Sequence, residues 1–230
     1  MLYQQFINNN QPFAASSYQS TLPVNLYDNI SKDIGVVTPG KTILLYGEPI
    51  VYHFGSLIME KILKHIDSIA VVDGANRFDL YGLTGIAQIN NLDPWKFLDR
   101  IFISRIFTGY QLDAVINNGV SSILKSINSR VMVVIGILNT LFDDQMPVRQ
   151  AKASLVRIRN KFKSLKNEGI SIVLISEHIC PQQWNRRQLT KQMFEMLDVM
   201  YLAYDESVRP VELNSNTLLR ELINSYNIEF

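Results

Sequence analysis

Three groups of residues in this chain have the types and spacing to do chemistry. Gly35-Val-Val-Thr-Pro-Gly40-Lys41-Thr42 matches the phosphate-loop pattern G-x-x-x-x-G-K-T letter for letter. In a working loop the glycine-rich backbone cradles phosphates, the lysine neutralises charge and the hydroxyl reaches Mg²⁺. His178 and Cys180 are spaced like two metal ligands, and Arg149, Lys152, Arg157, Arg159, Lys161, Lys163 and Lys166 form a dense basic series. Each group has chemical value only if the surrounding elements present it correctly.

For the first group they do not. A phosphate loop needs a strand before it and a helix after it, because the helix N-terminus supplies part of the anion site. Here the polar DNISKD segment precedes Gly35, and the apolar run Ile43-Leu44-Leu45-Tyr46 follows Thr42 as a strand. Thr38-Pro39-Gly40 therefore reads as a turn that feeds the first core strand. In a nucleotide-binding α/β protein the phosphates would sit after that strand. There the chain offers Glu48 and no lysine before Gly55, with Ser56 expected to cap a helix carrying Ile58, Met59, Ile62, Leu63 and Ile66. A carboxylate repels phosphate. The metal reading is equally thin, since His53 and His65 lie far from His178 and Cys180 in sequence and two ligands do not close a site.

At 230 residues, 47% hydrophobic and 19% charged, the chain can bury one substantial core. Residues 1–35 read as a flexible arm: Asp28 is the only charge in the first thirty, and Phe6, Phe13 and Tyr18 are isolated anchors that could dock on a neighbouring subunit. Residues 36–230 read as one α/β domain. Its strands are expected at Ile43–Tyr46, Ser68–Asp73, Arg130–Gly136, Gly169–Ser176 and Asp198–Tyr204, with Val208–Leu213 as an edge partner limited by Pro210. Asp93-Pro94 starts a helix whose buried side is Phe97, Leu98, Ile101 and Phe102, and 110–127 forms two helical pieces broken near Asn117-Asn118-Gly119. A last helix is expected near 216–225. Asp73 stands at the carboxyl end of a strand, where it could serve a site or cap its own loop.

The helix from about Pro147 to Asn167 turns Ala151, Leu155, Ile158, Phe162 and Leu165 to the core. Its seven cations have no acidic neighbour between 148 and 167, so in a chain of net charge +1 the remainder nets −6. A local positive field follows, with Arg186, Arg187 and Lys191 as possible extensions. It suits DNA phosphates or an acidic partner. The single cysteine fits a reducing compartment, and no leader-like or membrane-length apolar run is seen, so a cytoplasmic protein is expected.

In order, these elements resemble the ATPase core of the RecA superfamily, and within it the RadA-like recombinases and their paralogues. The resemblance is carried by Leu92-Asp-Pro-Trp-Lys-Phe-Leu-Asp99 leading to Arg105-Ile-Phe-Thr108 and Gln111, by Asp73 to Phe78, and by the run from Arg149 to Ser176. It implies an α/β, RecA-like three-layer sandwich with a mainly parallel central sheet. It departs from the family at the chemistry: the loop lysine is replaced by Gly55 at best, the strand that would end in a Mg²⁺-organising Asp ends in Gly136, and Asp73-Gly74-Ala75-Asn76 holds no water-activating Glu. The resemblance also implies a docking arm, which Phe13-Ala14-Ala15-Ser16 matches except at its last position. The expectation is a non-catalytic paralogue with no catalytic residue, cofactor or metal. It would form a homo-oligomer, or a hetero-oligomer with a RecA-like protein, and bind DNA without sequence preference. A nucleotide-binding ATPase with an atypical loop using Lys41, or an adaptor without DNA contact, are the alternatives.

Overall fold

A computed structural model describes residues 39–179, 184–204, 207–211 and 213. The fold is set by five apolar runs that are buried on both sides, and therefore lie parallel in the middle of a sheet. The strands are β1 (Thr42–Gly47), β2 (Ile69–Asp73), β3 (Ile101–Arg105), β4 (Val131–Ile135), β5 (Ser171–Glu177), β6 (Val199–Tyr204) and β7 (Ser207–Val211). They pair in the order β3-β2-β4-β5-β1-β6-β7. Every pairing is parallel except β6 with β7, whose hairpin sets Pro210 on the open edge opposite Tyr201.

Helices cover both faces. Alternate residues such as Ile43, Leu45, Val71, Val133 and Ile175 pack under α1 (Val51–Leu63), α2 (Leu80–Ile89) and α3 (Pro94–Leu98). Leu44, Tyr46, Val72, Val134 and Leu174 pack on the opposite face. There they meet α4 (Gly109–Ala114), α5 (Val120–Ser126), α6 (Ile137–Leu141), α7 (Val148–Asn167) and α8 (Arg187–Phe194). The result is an α/β three-layer sandwich around a mostly parallel sheet. The strand-side alternation divides one apolar chain into two cores.

Two local expectations are corrected. Ser56 does not cap the first helix: α1 begins at Val51, and Glu48–Ile50 alone connect it to β1. Glycine at 55 serves helix-to-sheet approach, since a Cβ there would stand 2.6 Å from Ile175 Cδ1, and Ser56 is buried beside it, its hydroxyl turned to Tyr52 O. The second correction concerns Ile101 and Phe102, which leave the helix and start β3. Asp93 caps α3 through the Trp95 and Lys96 N–H groups. The helix stops at Leu98, and Arg100 fixes the reversal by donating to Leu63 O, Ile66 O and Asp67 O. Freed of the helix, the β-branched and aromatic residues of IFISR pair with β2.

The segment 109–126 is one continuous helical path with a π turn at Val115–Gly119, placed where the Asn117-Asn118-Gly119 break was expected. Phe6, Phe13 and the helix expected near 216–225 lie outside the described residues.

Candidate functional site

β1 and β5 are neighbours whose connections run in opposite directions. β1 leads through α1 to β2, on one side of the sheet, while β5 leads through α8 to β6, beyond β1 on the other. The two helices lie on opposite faces. Such a topological switch opens a crevice at the carboxyl ends of the two strands, where α/β proteins place ligands.

The side chains gathered at these ends are Glu48 after β1, Tyr52 and His53 in the first turn of α1, and Glu177 and His178 at the end of β5. His178 N–H donates to Gly47 O at 2.6 Å, joining the two strand ends. Its Nδ1 lies 2.7 Å from the Tyr46 hydroxyl; the phenol donates when the imidazole proton is on Nε2. Tyr46 is edge-on to both His178 and Phe194. On the α1 side, the Tyr52 hydroxyl is enclosed near the Glu177 backbone and carboxylate, without an aligned hydrogen bond to either. Burial first, and then the Glu177 charge, push this phenol up to about 12. The Arg77 guanidinium sits 5.6 Å over its ring.

Burial also lowers both imidazoles, against a partial opposing pull from Asp79 on His53. This crevice thus holds two carboxylates, a Tyr52 phenol that keeps its proton, and imidazoles that are neutral at pH 7. Arg77 is the cation it offers. That chemistry disfavours a polyphosphate, and the three-residue connection Glu48–Ile50 is too short to wrap one in backbone N–H groups as a glycine-rich loop does.

A pH dependence follows. Because the folded imidazoles resist protonation, the unfolded chain takes up protons first as pH falls below about 6.5. Stability is fully present above that pH and is lost beneath it. The urea midpoint is expected to fall between pH 7.5 and 5.5, and His178→Gln is expected to flatten that fall; an unchanged slope in the variant would assign the effect elsewhere.

The other expected machinery is placed as follows. Lys41 precedes β1, at the end of the sheet opposite the crevice, and the residue after Thr42 continues a strand. Asp73 is fully buried and caps its own loop, accepting from Ala75 N, Arg77 N and Phe78 N. Gly136 follows β4 in a left-handed conformation. Among the described residues, no group of three or more His, Cys, Asp or Glu side chains could hold a metal.

The basic series is divided by its partners. Arg157 forms a two-pronged pair with Asp113, Arg159 faces Glu195 at 3.6 Å, and Lys166 meets Asp198 at 2.5 Å. Lys152 donates to Gln188. Arg186, expected on the same surface, is 1% exposed and donates to Leu141 O and Met146 O. Arg187 is half-buried. Arg149 and Lys163 are exposed, and with half-buried Lys161 they have no acidic partner within salt-bridge distance among the described residues. The field of α7 is therefore weaker than its composition implies.

Apolar side chains are left in solvent on and after β3: Phe102 and Ile103 are 44% and 39% exposed, and exposed Phe107 and Tyr110 continue the chain past the strand. Sequence reading missed this feature by assigning Ile101 and Phe102 to a buried helix side. It weighed His178 only as a metal ligand and passed over Glu177, whose signal was its place at the carboxyl end of a mainly apolar strand.

No protein-family model matches the chain, and no curated protein matches it. No helix among the described residues is long and apolar enough to cross a membrane.

Proposed function

We propose that this chain is a non-hydrolysing paralogue of RecA and RadA-like proteins that acts in DNA recombination or repair by assembling with itself or with a RecA-like partner. One observation carries the non-hydrolysing part: at the switch point, where the phosphates would sit, a three-residue connection presents Glu48 opposite Glu177. Phosphoryl transfer depends almost wholly on positioning and charge stabilisation. A site lined by carboxylates and neutral rings supplies neither. The sheet's order of strands and the two helical layers are in keeping with the resemblance, and the open apolar edge at β3 supports assembly.

Calorimetric titration with ATP and Mg²⁺, beside the thermal midpoint with and without nucleotide, tests the first part. No heat and no midpoint change at millimolar ATP are expected. Saturable heat would sink the proposal and favour an ATPase with an atypical loop.

The basic surface offers DNA a modest, sequence-independent hold through Arg149, Lys161 and Lys163. Each phosphate contact contributes a salt-log slope of about −0.9 on duplex. A slope of about −2 to −3 is expected, with Arg149→Glu plus Lys163→Glu removing most of the affinity. Absence of binding at low salt would favour a second reading, an adaptor without DNA contact. The in-chain pairing of Arg157, Arg159 and Lys166 is the observation on its side.

A further inference from the structure

We propose that two copies of this chain pair through β3, antiparallel and edge to edge, with Phe102 facing Phe102 across a two-fold axis. The inference rests on the assembly part of the reading above and names the partner as a second copy.

Among the described residues, β3 ends the sheet and is hydrogen-bonded to β2 alone. Ile69 N donates to Arg100 O and Ile106 N donates to Asp73 O, which fixes the phase of the strand. Even-numbered residues turn their backbone groups to β2. The N–H and C=O groups of Ile101, Ile103 and Arg105 consequently face outward. Natural edge strands are blunted by proline, lysine, a bulge or a cover. Ile101–Arg105 has no proline, no lysine and no glycine, and Phe102 and Ile103, which point to opposite faces, are both exposed, so among the described residues no element covers either side of the edge.

A closed pair of identical copies has to be two-fold symmetric, so a strand meeting itself runs antiparallel. Outward groups must meet outward groups, which pairs odd residues with odd residues. Two registers keep Ile101–Ile103 paired within β3, one centred on Phe102 and one on Ile103. Centring on Ile103 sets Arg105 against Ile101, so the guanidinium keeps the Asp73 carboxylate of its own chain, 4.0 Å from Nε, and gains no opposite charge across the pair. Centring on Phe102 sets Ile101 against Ile103 and brings exposed Asp99, in the turn before β3, beside half-exposed Arg105 at both ends of the ribbon. It also places Phe102 in the non-hydrogen-bonded position, where facing side chains come closest. Opposite charges and paired aromatics across strands both stabilise. Charge complementarity across the pair therefore selects the Phe102 register, and exposed Phe107 and Tyr110, which follow the strand, supply apolar area that a five-residue ribbon lacks by itself.

The register can be read by cross-linking the full chain in a Cys180→Ser background. A non-hydrogen-bonded antiparallel pair holds its Cα atoms about 4.5 Å apart, within disulfide range. Phe102→Cys is expected to give a covalent dimer under mild oxidation at least about tenfold faster than Ile103→Cys, whose facing residue is Ile101. For the otherwise unmodified chain, light scattering at micromolar concentration is expected to report a dimer. Asp99→Lys should weaken it about tenfold, and Phe102→Lys should give a monomer with an unchanged thermal midpoint. Equal or faster cross-linking at Ile103 would overturn the register and with it the proposal. Assembly that survives Phe102→Lys would overturn the pairing while leaving the assembly reading standing. Loss of the dimer in Phe13→Ala would show the N-terminal arm as the occupant of the edge, and a monomeric unmodified chain would overturn the pairing while leaving assembly with a RecA-like partner standing.

Discussion

Arg186→Met is expected to lower the stability of the fold by about 3–5 kcal/mol, read as a fall in urea midpoint at unchanged slope. Arg186 is 1% exposed, and its two terminal nitrogens donate to Leu141 O at 2.6 Å and Met146 O at 2.5 Å. Leu141 ends α6, so its carbonyl is one of the groups that a helix C-terminus leaves without an internal partner. Met146 belongs to the connection into α7. One planar guanidinium thus ties the segment after β4 to the start of α8. Methionine fills much of the volume and strands both carbonyls, each at a cost of about 1–3 kcal/mol. The Asp144 carboxylate, 3.7 Å from Nε and itself exposed, supplies part of the counter-charge and does not replace the lost donors. Arg186→Lys is expected to recover little, because a single ammonium cannot reproduce the fork. A loss below about 1 kcal/mol would mean that these segments hold their geometry without the clamp.

The same residue shows where sequence reading stops. Arg186 has the composition of a surface cation, and nothing adjacent to it in sequence announces the two carbonyls it meets, which come from 40 and 45 positions earlier in the chain. Arg157 with Asp113, and Lys166 with Asp198, repeat the lesson: the basic face of α7 was legible from its spacing, while its neutralisation depends on which helices the sheet order brings alongside. The core strands were legible because burial on both faces leaves an unbroken apolar run, as in VMVVI and SIVLIS. β3 was not, since a five-residue edge strand with Phe102, Ile103 and Arg105 in solvent lacks the unbroken burial of a core strand and follows a helix without a turn signal. Gly55 misled for a different reason. A glycine marks either a turn or a close approach, and only the presence of Ile175 beneath α1 decides between them.

The strand end that carries no carboxylate yields the second large effect. Gly136→Asp, which would restore an acid where an ATPase organises Mg²⁺, is expected to destabilise the protein by about 3–4 kcal/mol and to confer no nucleotide binding. Gly136 has φ +68, and a Cβ built on it would lie 2.3 Å from Ala75 Cβ and 2.9 Å from Ala75 N. Its N–H donates to Ile175 O, and Gly74 N–H donates to Ile135 O, so the ends of β4 and β5 and the loop after β2 close on one another backbone to backbone. A side chain there incurs about 1–2 kcal/mol for the left-handed conformation and about 1–3 kcal/mol for the overlap with Ala75. Because both terms arise from Cβ, Gly136→Ala is expected to cost nearly as much as Gly136→Asp, and comparing their urea midpoints separates geometry from charge. Ala75→Gly in the same chain should return part of the loss by removing the nearer contact. If Gly136→Asp instead folds with an unchanged midpoint and warms on titration with ATP and Mg²⁺, the crevice retains a latent phosphate site and the non-hydrolysing reading fails. The packing argues the other way: this strand end lacks its acid because the backbone has closed over the space an acid would need.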